Sequence, residues 1–374
     1  MLKSISLQNF KSFGERQTVP LEPISVLVGP NNSGKSSFLS VGSFFRQLAS
    51  GPGLSPASSD AFVFHKPPSG NGAMAIEWES EAGRYYGSHQ RPEGRSPGVV
   101  EERFQPAGTV AWRKSEDILP PLGHQFDPVY PFQTLQVMTI PGFRRPPDLW
   151  PIVAPIVGSR DVKISLTSVR ADSLFGPDAR LREDGSHLAT VINVWRSAYP
   201  ERAEQLEAIL RTYLPEIRRV LASPAPASGA TNGNGEAMVR LWFEQTDGER
   251  FDAMHVSDGV LFFTALAAQV IDAEERALIF IEEPEQSIHP RRLHDLVELL
   301  RDVGAKRGCQ FIIATHSPVL LDEFRDEPEA ILLFRRSEQG TVVRPLAEVE
   351  TLRDALEKTR PGEMLASGFF NEPL

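Results

Sequence analysis

Residues 29 to 36 read Gly29-Pro30-Asn31-Asn32-Ser33-Gly34-Lys35-Ser36 and fit G-x-x-x-x-G-K-[ST] at every fixed position. The run 24–28 before them has the composition of a buried strand, and from Ser37 onward apolar residues recur at helical spacing. A loop between a strand and a helix lets backbone N–H groups surround a chain of phosphates. The sequence therefore predicts a nucleoside triphosphate site in an α/β fold.

Each fixed position of this loop has a chemical reason. Gly29 and Gly34 are expected where the backbone approaches the ligand closely and adopts conformations that a Cβ disfavours. Lys35 is expected to reach the β- and γ-phosphates, and the hydroxyl of Ser36 to ligate Mg²⁺. The predicted phosphate-binding set is Gly29, Pro30, Asn31, Asn32, Ser33, Gly34, Lys35, Ser36 and Ser37. A chance match in a loop rich in glycine and serine is the alternative, and the flanking strand and helix make it the weaker one.

Composition restricts the remaining classes of function. The chain has 374 residues, 41% of them hydrophobic, which is ample for a core in one or two α/β domains. Its net charge of −10 argues against nucleic-acid binding through overall charge, although a local basic strip leaves DNA as a candidate ligand. The one cysteine, Cys309, excludes a disulfide framework and fits a reducing cytoplasm. No apolar run approaches the roughly 18 residues of a membrane helix, so no membrane partner is expected.

A second acidic feature lies far along the chain. The apolar run 277–281 ends in Glu282 and Glu283, as expected for a buried parallel strand with functional groups at its carboxyl end. Adjacent strand residues point to opposite faces, so the two carboxylates are expected to have different roles. We assign Glu282 to the metal or its water shell, and Glu283 to the attacking water as general base or positioner. A solvated acidic strand end is the alternative.

The next strand is expected to carry a histidine to the same edge. A helix begins at Arg291, and the apolar strand 311–314 that follows ends in Thr315 and His316. A strand, a helix and a strand in succession make a parallel unit, so His316 is predicted at the edge that Glu283 occupies. There the imidazole can contact a γ-phosphate.

A third polar group opens an apolar helix. Ser257, Asp258 and Gly259 precede a run of apolar residues with helical spacing. Ser257 or Asp258 can serve as an N-cap, and a helix N-terminus of this composition is equally an anion site that faces outward.

Four segments are expected along the chain. They are 1–48, the first part of an ATPase head; 49–165, an inserted lobe rich in proline and glycine; 166–236, a helical subdomain with a flexible loop; and 237–374, the second part of the head. In the lobe, 73–78, 108–112 and 135–140 have strand character. The pattern from 188 to 220 is helical, and 222–236 is of low complexity.

The ordered set of motifs resembles the ATP-binding-cassette (ABC) ATPases of the SMC, RecF and OLD (overcoming lysogenisation defect) type. The resemblance covers both ends of the chain: the opening 5–13, the Walker A motif 29–36, the signature 257–259, the Walker B motif 278–283, a D-loop-like stretch 287–290 and the switch residue His316. Residues 168–170 and 182–188 are weaker matches to motifs of these families. The implied fold is a P-loop NTPase head with a mixed N-terminal sheet, a core parallel sheet flanked by helices, and an inserted β-rich and helical lobe.

The resemblance implies a head that pairs with a second copy and encloses two ATP molecules with Mg²⁺. Ser257 and Gly259 of one copy would then close on the γ-phosphate bound by Lys35 of the other. It also implies a homodimer or higher oligomer that regulates a separate effector protein, expected to be nuclease-like, in DNA transactions or anti-phage defence. This composite site would explain why the helix N-terminus at Ser257 faces outward.

Several departures limit what the resemblance implies. The signature is Ser-Asp-Gly rather than Leu-Ser-Gly-Gly-Gln, and Glu282 stands where the Walker B motif usually has Asp. The Q-loop glutamine is not placed by a motif, and Gln133 and Gln136 are candidates from position alone. No heptad pattern is sustained along the sequence, so long coiled-coil arms are not expected. About 58 residues follow His316, too few for the TOPRIM nuclease domain of OLD proteins, so a nuclease is expected on a separate chain.

Two other functions compete with this reading. A nucleotide-gated scaffold or sensor would bind ATP with little turnover, and the presence of Glu283 and His316 argues against it. The ATPase subunit of a transporter would have a different signature and a much shorter spacing from Walker A to signature than the roughly 220 residues here.

Overall fold

The computed structural model describes residues 1–49, 73–90, 98–111, 113–114, 145–177, 180–225 and 237–371. These residues form two compact units that alternate along the chain. Unit 1 contains Met1–Arg160, Glu275–Phe280 and Arg307–Leu374, and unit 2 contains Asp161–Glu274 and Ile281–Lys306. The four-segment division remains a prediction.

The strands are β1 Leu2–Gln8, β2 Gln17–Pro20, β3 Ile24–Val28, β4 Met74–Ser80, β5 Gly83–Gln90, β6 Gly98–Pro106, β7 Arg113–Lys114, β8 Arg160–Val162, β9 Ser173–Leu174, β10 Ile217–Pro224, β11 Met238–Gln245, β12 Arg250–Asp252, β13 Leu278–Glu282, β14 Gln310–Ala314, β15 Ile331–Ser337 and β16 Gly340–Pro345. The helices are α1 Lys35–Ala49, α2 Trp150–Val157, α3 Leu166–Arg170, α4 Leu188–Ala198, α5 Pro200–Tyr213, α6 Asp258–Asp272, α7 Leu293–Arg307, α8 Pro318–Asp322, α9 Glu350–Leu356 and α10 Pro361–Ala366. Among the described residues, no helix combines the length and the apolar character that a membrane crossing requires.

Unit 1 contains an antiparallel sheet in the order β2-β1-β4-β5-β6-β7. Strands β4 to β7 of the predicted lobe therefore extend the sheet that β1 and β2 begin. The strand expected at 73–78 is confirmed as β4. The strand expected at 108–112 is wrong where it is described, because Gly108 has a φ of 77° in a turn and Val110 is 93% exposed. The strand expected at 135–140 lies outside the described residues.

The second sheet of unit 1 positions the phosphate loop. Its order is β16-β15-β3-β14-β13, and β3 runs parallel to both β14 and β15. The predicted strand and the helix that follows it, α1, are confirmed, and all five residues of β3 are buried. Strand β13 passes into unit 2 at Ile281, where β8 is its neighbour.

Aromatic side chains pack beneath the phosphate loop in unit 1. The ring of Phe38, on α1, lies 5.8 Å from that of Phe334 and 6.2 Å from that of Phe13. The ring of Phe10 contacts that of Phe44 edge to face at 5.5 Å. All of these side chains are fully buried, so the loop stands on a close-packed base.

Unit 2 contains an antiparallel sheet of β10, β11 and β12, with β9 paired to the start of β11. The predicted helical stretch 188–220 divides into α4, α5 and then a strand. The expectation of helix is therefore wrong at 217–220. A register shift between Ile217 and Arg219 places Ile217 and Val220 inward with two arginines between them, which imitates helical spacing. Of the predicted low-complexity segment 222–236, residues 226–236 lie outside the described chain.

Candidate nucleotide-binding site

The loop 29–36 leaves β3 and enters α1 with an unusual backbone. Gly29 and Gly34 have φ values of 151° and 110°, and Asn32 has a φ of 64°. A Cβ on Gly29 would lie 2.2 Å from the carbonyl oxygen of Phe334, and a Cβ on Gly34 would lie 2.2 Å from the hydroxyl of Thr341. The requirement for glycine is thus confirmed, and within the chain its cause is the closeness of β15 and β16.

Lysine 35 is held over this loop. Its Nζ donates hydrogen bonds to the carbonyl oxygens of Gly29 at 2.7 Å and Pro30 at 3.1 Å, and the residue is 8% exposed. Ser33 is 2% exposed, and its hydroxyl makes no hydrogen bond within the described part of the chain. A buried cation, an unused hydroxyl and the N-terminus of α1 meet in one loop, which is a donor set that fits an anion. Ser36 is exposed at the first turn of α1.

The histidine predicted at the sheet edge lies in the same unit as the loop. The backbone N–H of Thr315 donates to the carbonyl of Leu27 at 3.2 Å, so the carboxyl end of β14 lies beside that of β3. The hydroxyl of Thr315 accepts from the N–H of Ser317 at 3.0 Å, and Ser317 caps α8. Between them His316 is exposed.

The two adjacent glutamates lie in unit 2, and their backbones differ. Strand β13 ends at Glu282, and Glu283 adopts the left-handed region with φ 46° and ψ 55°. The expectation that both lie on a strand and point to opposite faces is therefore wrong, since the chain turns at Glu283. Left-handed backbone at a residue other than glycine costs about 1–3 kcal/mol and is concentrated at functional sites.

Two side chains hold these carboxylates. Lys163 pairs with Glu282 at 3.0 Å, and the amide of Gln286 donates to the carboxylate of Glu283. The backbone N–H of Gln286 also donates to the carbonyl of Glu283 at 3.1 Å. Sequence reasoning missed both partners, because a lysine and a glutamine outside any fixed motif position carry no signal of their own.

The signature residues form the N-terminus of α6, as predicted. Ser257 is the N-cap, and its hydroxyl accepts from the N–H of Val260 at 3.4 Å. Asp258 pairs with the guanidinium of Arg170, which also donates to the carbonyl of Val256 at 3.4 Å. Ser257 and Asp258 are exposed, so the helix N-terminus faces solvent.

Unit 2 has two cavities around these residues. A cavity of about 490 Å³ is lined by Ser257, Asp258, Gly259, Gln286, Ser287, His289 and Arg292, among others. A smaller one of about 260 Å³ is lined by Lys163, Glu282, Glu283, Gln286 and Ser287, among others. Gln286 and Ser287 line both, so the residues after Glu283 connect the predicted signature to the predicted Walker B carboxylates within this unit.

The remaining predicted residues are distributed as follows. Ser36 belongs to unit 1 and Glu282 to unit 2. In the described part of the chain, no group of three or more His, Cys, Asp or Glu side chains could hold a metal ion. Gln133 and Gln136 lie outside the described residues.

The 182–188 stretch makes a tight turn before α4. Partial burial acts to raise the pKa of Asp184, but hydrogen bonds from Ser186 and Ser168 outweigh it and lower the pKa. A Cβ on Gly185, whose φ is 80°, would lie 2.6 Å from a methyl group of Val169, so the turn packs tightly on α3.

Comparison with known proteins finds AAA domain matches in two parts of the chain. Residues 161–322 match the family model described as "AAA domain, putative AbiEii toxin, Type IV TA system", and residues 1–66 match "AAA ATPase domain". The OLD nuclease of Thermus scotoductus is 34% identical over 87 residues, which is 23% of this chain and 16% of that protein. Protein ea59 of Escherichia phage lambda is 33% identical over 99 residues, or 26% and 18% of the two chains. These matches span less than a fifth of the length of either relative.

Two solved structures share the fold. An SMC head bound to the C-winged helix domain of ScpA has a TM-score of 0.56 at 14% identity, with 92% of this chain and 97% of that chain covered. An SMC head domain with an extended coiled coil, bound to the C-terminal domain of ScpA derived from Pyrococcus furiosus, has a TM-score of 0.50 at 13% identity, with 96% and 99% covered. At such identities the likeness shows the fold alone. The two AAA domain matches and the match to the OLD nuclease add similarity in sequence, so the chain resembles the ABC-type ATPases of the SMC- and OLD-like kind.

Proposed function

We propose that the chain binds ATP with Mg²⁺ at the loop 29–36 and hydrolyses it. The observation that carries the proposal is the backbone of this loop, in which two glycines with positive φ and the buried Lys35 surround the N-terminus of α1. Backbone N–H groups and one ammonium group are the donors that a chain of phosphates requires. The unused hydroxyl of Ser33 supports a ligand at this place.

We assign roles to the remaining residues on chemical grounds. The hydroxyl of Ser36 and the carboxylate of Glu282 would hold Mg²⁺, which prefers oxygen ligands and supplies charge neutralisation at the phosphates when bound. Glu283 would accept the proton of the attacking water, and His316 would contact the γ-phosphate. The hydrogen bond from Gln286 supports the role of Glu283, because a general base must be held in one orientation.

The unit of function in this proposal is a pair of chains. Ser257 and Gly259 would face the γ-phosphate held by Lys35 of a second copy. The exposed N-terminus of α6 and the 490 Å³ cavity beside it support an anion from another molecule. Hydrolysis would then be gated by closure of the pair.

The pair would regulate a separate effector protein in the cytoplasm. One relative is named a nuclease and another belongs to a phage, which supports a nuclease-like effector in DNA transactions or anti-phage defence. The SMC heads with this fold are bound to domains of ScpA, which supports a partner protein in general. DNA stays a candidate ligand for the assembly.

Lys35→Ala tests nucleotide binding directly. We expect no detectable binding of a fluorescent ATP analogue in an anisotropy titration, because the loop loses its ammonium group. Lys358→Ala, at an exposed lysine of the same unit, is the matched control and should bind like wild type. Unchanged affinity in Lys35→Ala would remove the basis of the proposal.

Two variants test turnover and pairing. Glu283→Gln should bind ATP normally, hydrolyse it about 10²- to 10⁴-fold more slowly and accumulate as an ATP-bound dimer in size-exclusion chromatography with light scattering. Ser257→Arg should block that dimer, while Ser197→Arg, at another exposed serine of unit 2, should not. If wild type hydrolyses ATP no faster than Glu283→Gln, the chain is an ATP-gated sensor instead. Dimers of Ser257→Arg equal to wild type would exclude the composite site.

A further inference from the structure

The hairpin of β15 and β16 forms a wall behind the phosphate loop. A Cβ on Gly29 would meet the backbone of Phe334 on β15, and one on Gly34 would meet Thr341 on β16, each at 2.2 Å. Both fixed glycines of the loop therefore lie directly against this hairpin. No sequence motif links β15 or β16 to the phosphate loop.

Thr341 makes three polar contacts at this wall. Its N–H donates to the carbonyl of Ser12 at 2.8 Å, and its hydroxyl lies 3.0 Å from the carbonyl oxygen of Ser33 and 2.8 Å from the hydroxyl of Ser12. Thr341 is 2% exposed, so water does not compete for these bonds. A threonine hydroxyl has one proton, so Thr341 shares it between two acceptors, the carbonyl of Ser33 and the hydroxyl of Ser12.

This arrangement determines the orientation of one peptide of the loop. In a planar trans peptide the C=O and the following N–H point in opposite directions. When the carbonyl of Ser33 points at Thr341, the N–H of Gly34 points away from the hairpin. Gly34 has a φ of 110°, so without the bond from Thr341 this peptide has wide conformational freedom.

We propose that Thr341 is a positioning residue for phosphate binding. Its hydroxyl donates to the carbonyl of Ser33 and thereby holds the Ser33–Gly34 peptide so that the N–H of Gly34 is presented to a phosphate. This inference rests on the proposed nucleotide site at 29–36 and adds a residue more than 300 positions away in the chain. It also connects Ser12 to the proposed site, because the carbonyl of Ser12 accepts from the N–H of Thr341 and the hydroxyl of Ser12 accepts from the Thr341 hydroxyl.

This role predicts which nucleotide affinities fall when the Thr341 hydroxyl is removed. The Ser33–Gly34 peptide belongs to the part of the loop that wraps the inner phosphates of a nucleotide. If this peptide is misoriented, the affinities for ATP and ADP should fall by the same factor, and the turnover of bound ATP should stay nearly unchanged. A purely structural role would lower stability without this pattern.

The test compares Thr341→Val with Thr341→Ser by calorimetric titration with ATPγS and ADP in the presence of Mg²⁺. Valine keeps the shape and removes the hydroxyl, and we expect about tenfold weaker binding of both nucleotides, since a buried carbonyl loses its donor. Thr341→Ser should restore affinity to within about twofold. Ser12→Ala should keep affinity to within about twofold, because Thr341 keeps its bond to Ser33. The matched control is Thr190→Val in unit 2, which removes another buried hydroxyl that donates to a carbonyl, that of Leu174 at 2.6 Å.

The outcomes separate the two proposals. If wild type binds neither nucleotide, the proposed function fails. If wild type binds and Thr341→Val, folded by circular dichroism, binds equally well, only the positioning role fails. Should Thr341→Val not fold, full affinity in a folded Thr341→Ala would also exclude that role.

Discussion

Gly34→Ala adds one methyl group where the phosphate loop presses on the hairpin. The new carbon would lie 2.2 Å from the Thr341 hydroxyl oxygen, 2.8 Å from its methyl group and 2.8 Å from the hydroxyl of Ser12. Real carbon atoms do not approach to 2.2 Å, so either the loop or the hairpin must move. The backbone φ of 110° is also one that alanine rarely adopts.

The loss in the free energy of unfolding caused by Gly34→Ala has two parts that can be separated. Backbone strain at a positive φ contributes about 1–3 kcal/mol, and overpacking in a close-packed region contributes about 1–3 kcal/mol more. The free energy of unfolding should therefore fall by about 2–6 kcal/mol. In a Thr341→Ala background the two closest side-chain atoms of Thr341 are gone, so most of the overpacking should disappear and the strain should remain.

A double-mutant cycle measures this difference. Urea unfolding of nucleotide-free protein is followed by tryptophan fluorescence, to which the buried Trp78 of unit 1 contributes, for wild type, both single variants and the double variant. We expect the double variant to be about 1–3 kcal/mol more stable than the sum of the single effects predicts. Additivity within about 0.5 kcal/mol would refute contact between Gly34 and Thr341 as the reason for glycine.

Three further outcomes are expected. Gln286→Leu should lower kcat while the KM for ATP stays constant, because Glu283 loses its amide donor; a changed KM with an unchanged kcat in steady-state assays would contradict this. Gln310→Leu should cost about 2–4 kcal/mol in urea unfolding, because the buried N–H and C=O of Leu2 bond to the Gln310 amide at 2.6 and 2.9 Å; a loss below about 0.5 kcal/mol would count against it. The lowered pKa of Asp184 stabilises the fold above about pH 3.9, and this contribution is lost as the pH falls through the folded pKa. The stability difference between wild type and Asp184→Asn should therefore shrink as the pH drops below about 4, and a constant difference from pH 7 to pH 3 would argue otherwise.

The sequence predicted the features that depend on local pattern. Strand β3, the glycines of the loop, α1 and the N-cap at Ser257 follow from apolar spacing and backbone chemistry over a few residues. The prediction failed where tertiary geometry changes a local pattern. At 217–220 a register shift gives a strand helical spacing, and at 108–111 residues of strand character occupy an exposed turn.

The site was predicted unevenly for the same reason. Lys35, Glu282 and Glu283 stand at motif positions and could be named. The left-handed backbone at Glu283 and the contacts of Lys163 could not, because they depend on how the chain turns after β13. No sequence pattern marks Thr341 as part of the site, since its proposed function depends on a contact with a residue 308 positions earlier.

The alternation of the two units along the chain has a consequence for synthesis. The bonds between Leu2 and Gln310 join residues 308 positions apart, so ribosomal translation at about 5–20 residues per second separates their appearance by about 15–60 s. During that interval β1 and β2 can already pair with β4, which is close in sequence. The apolar strand β3 cannot, because both of its partners, β14 and β15, are still missing. The nascent chain therefore carries β3, a strand buried at every position in the fold, with two open edges for most of its synthesis, and shielding by a chaperone would be most valuable there.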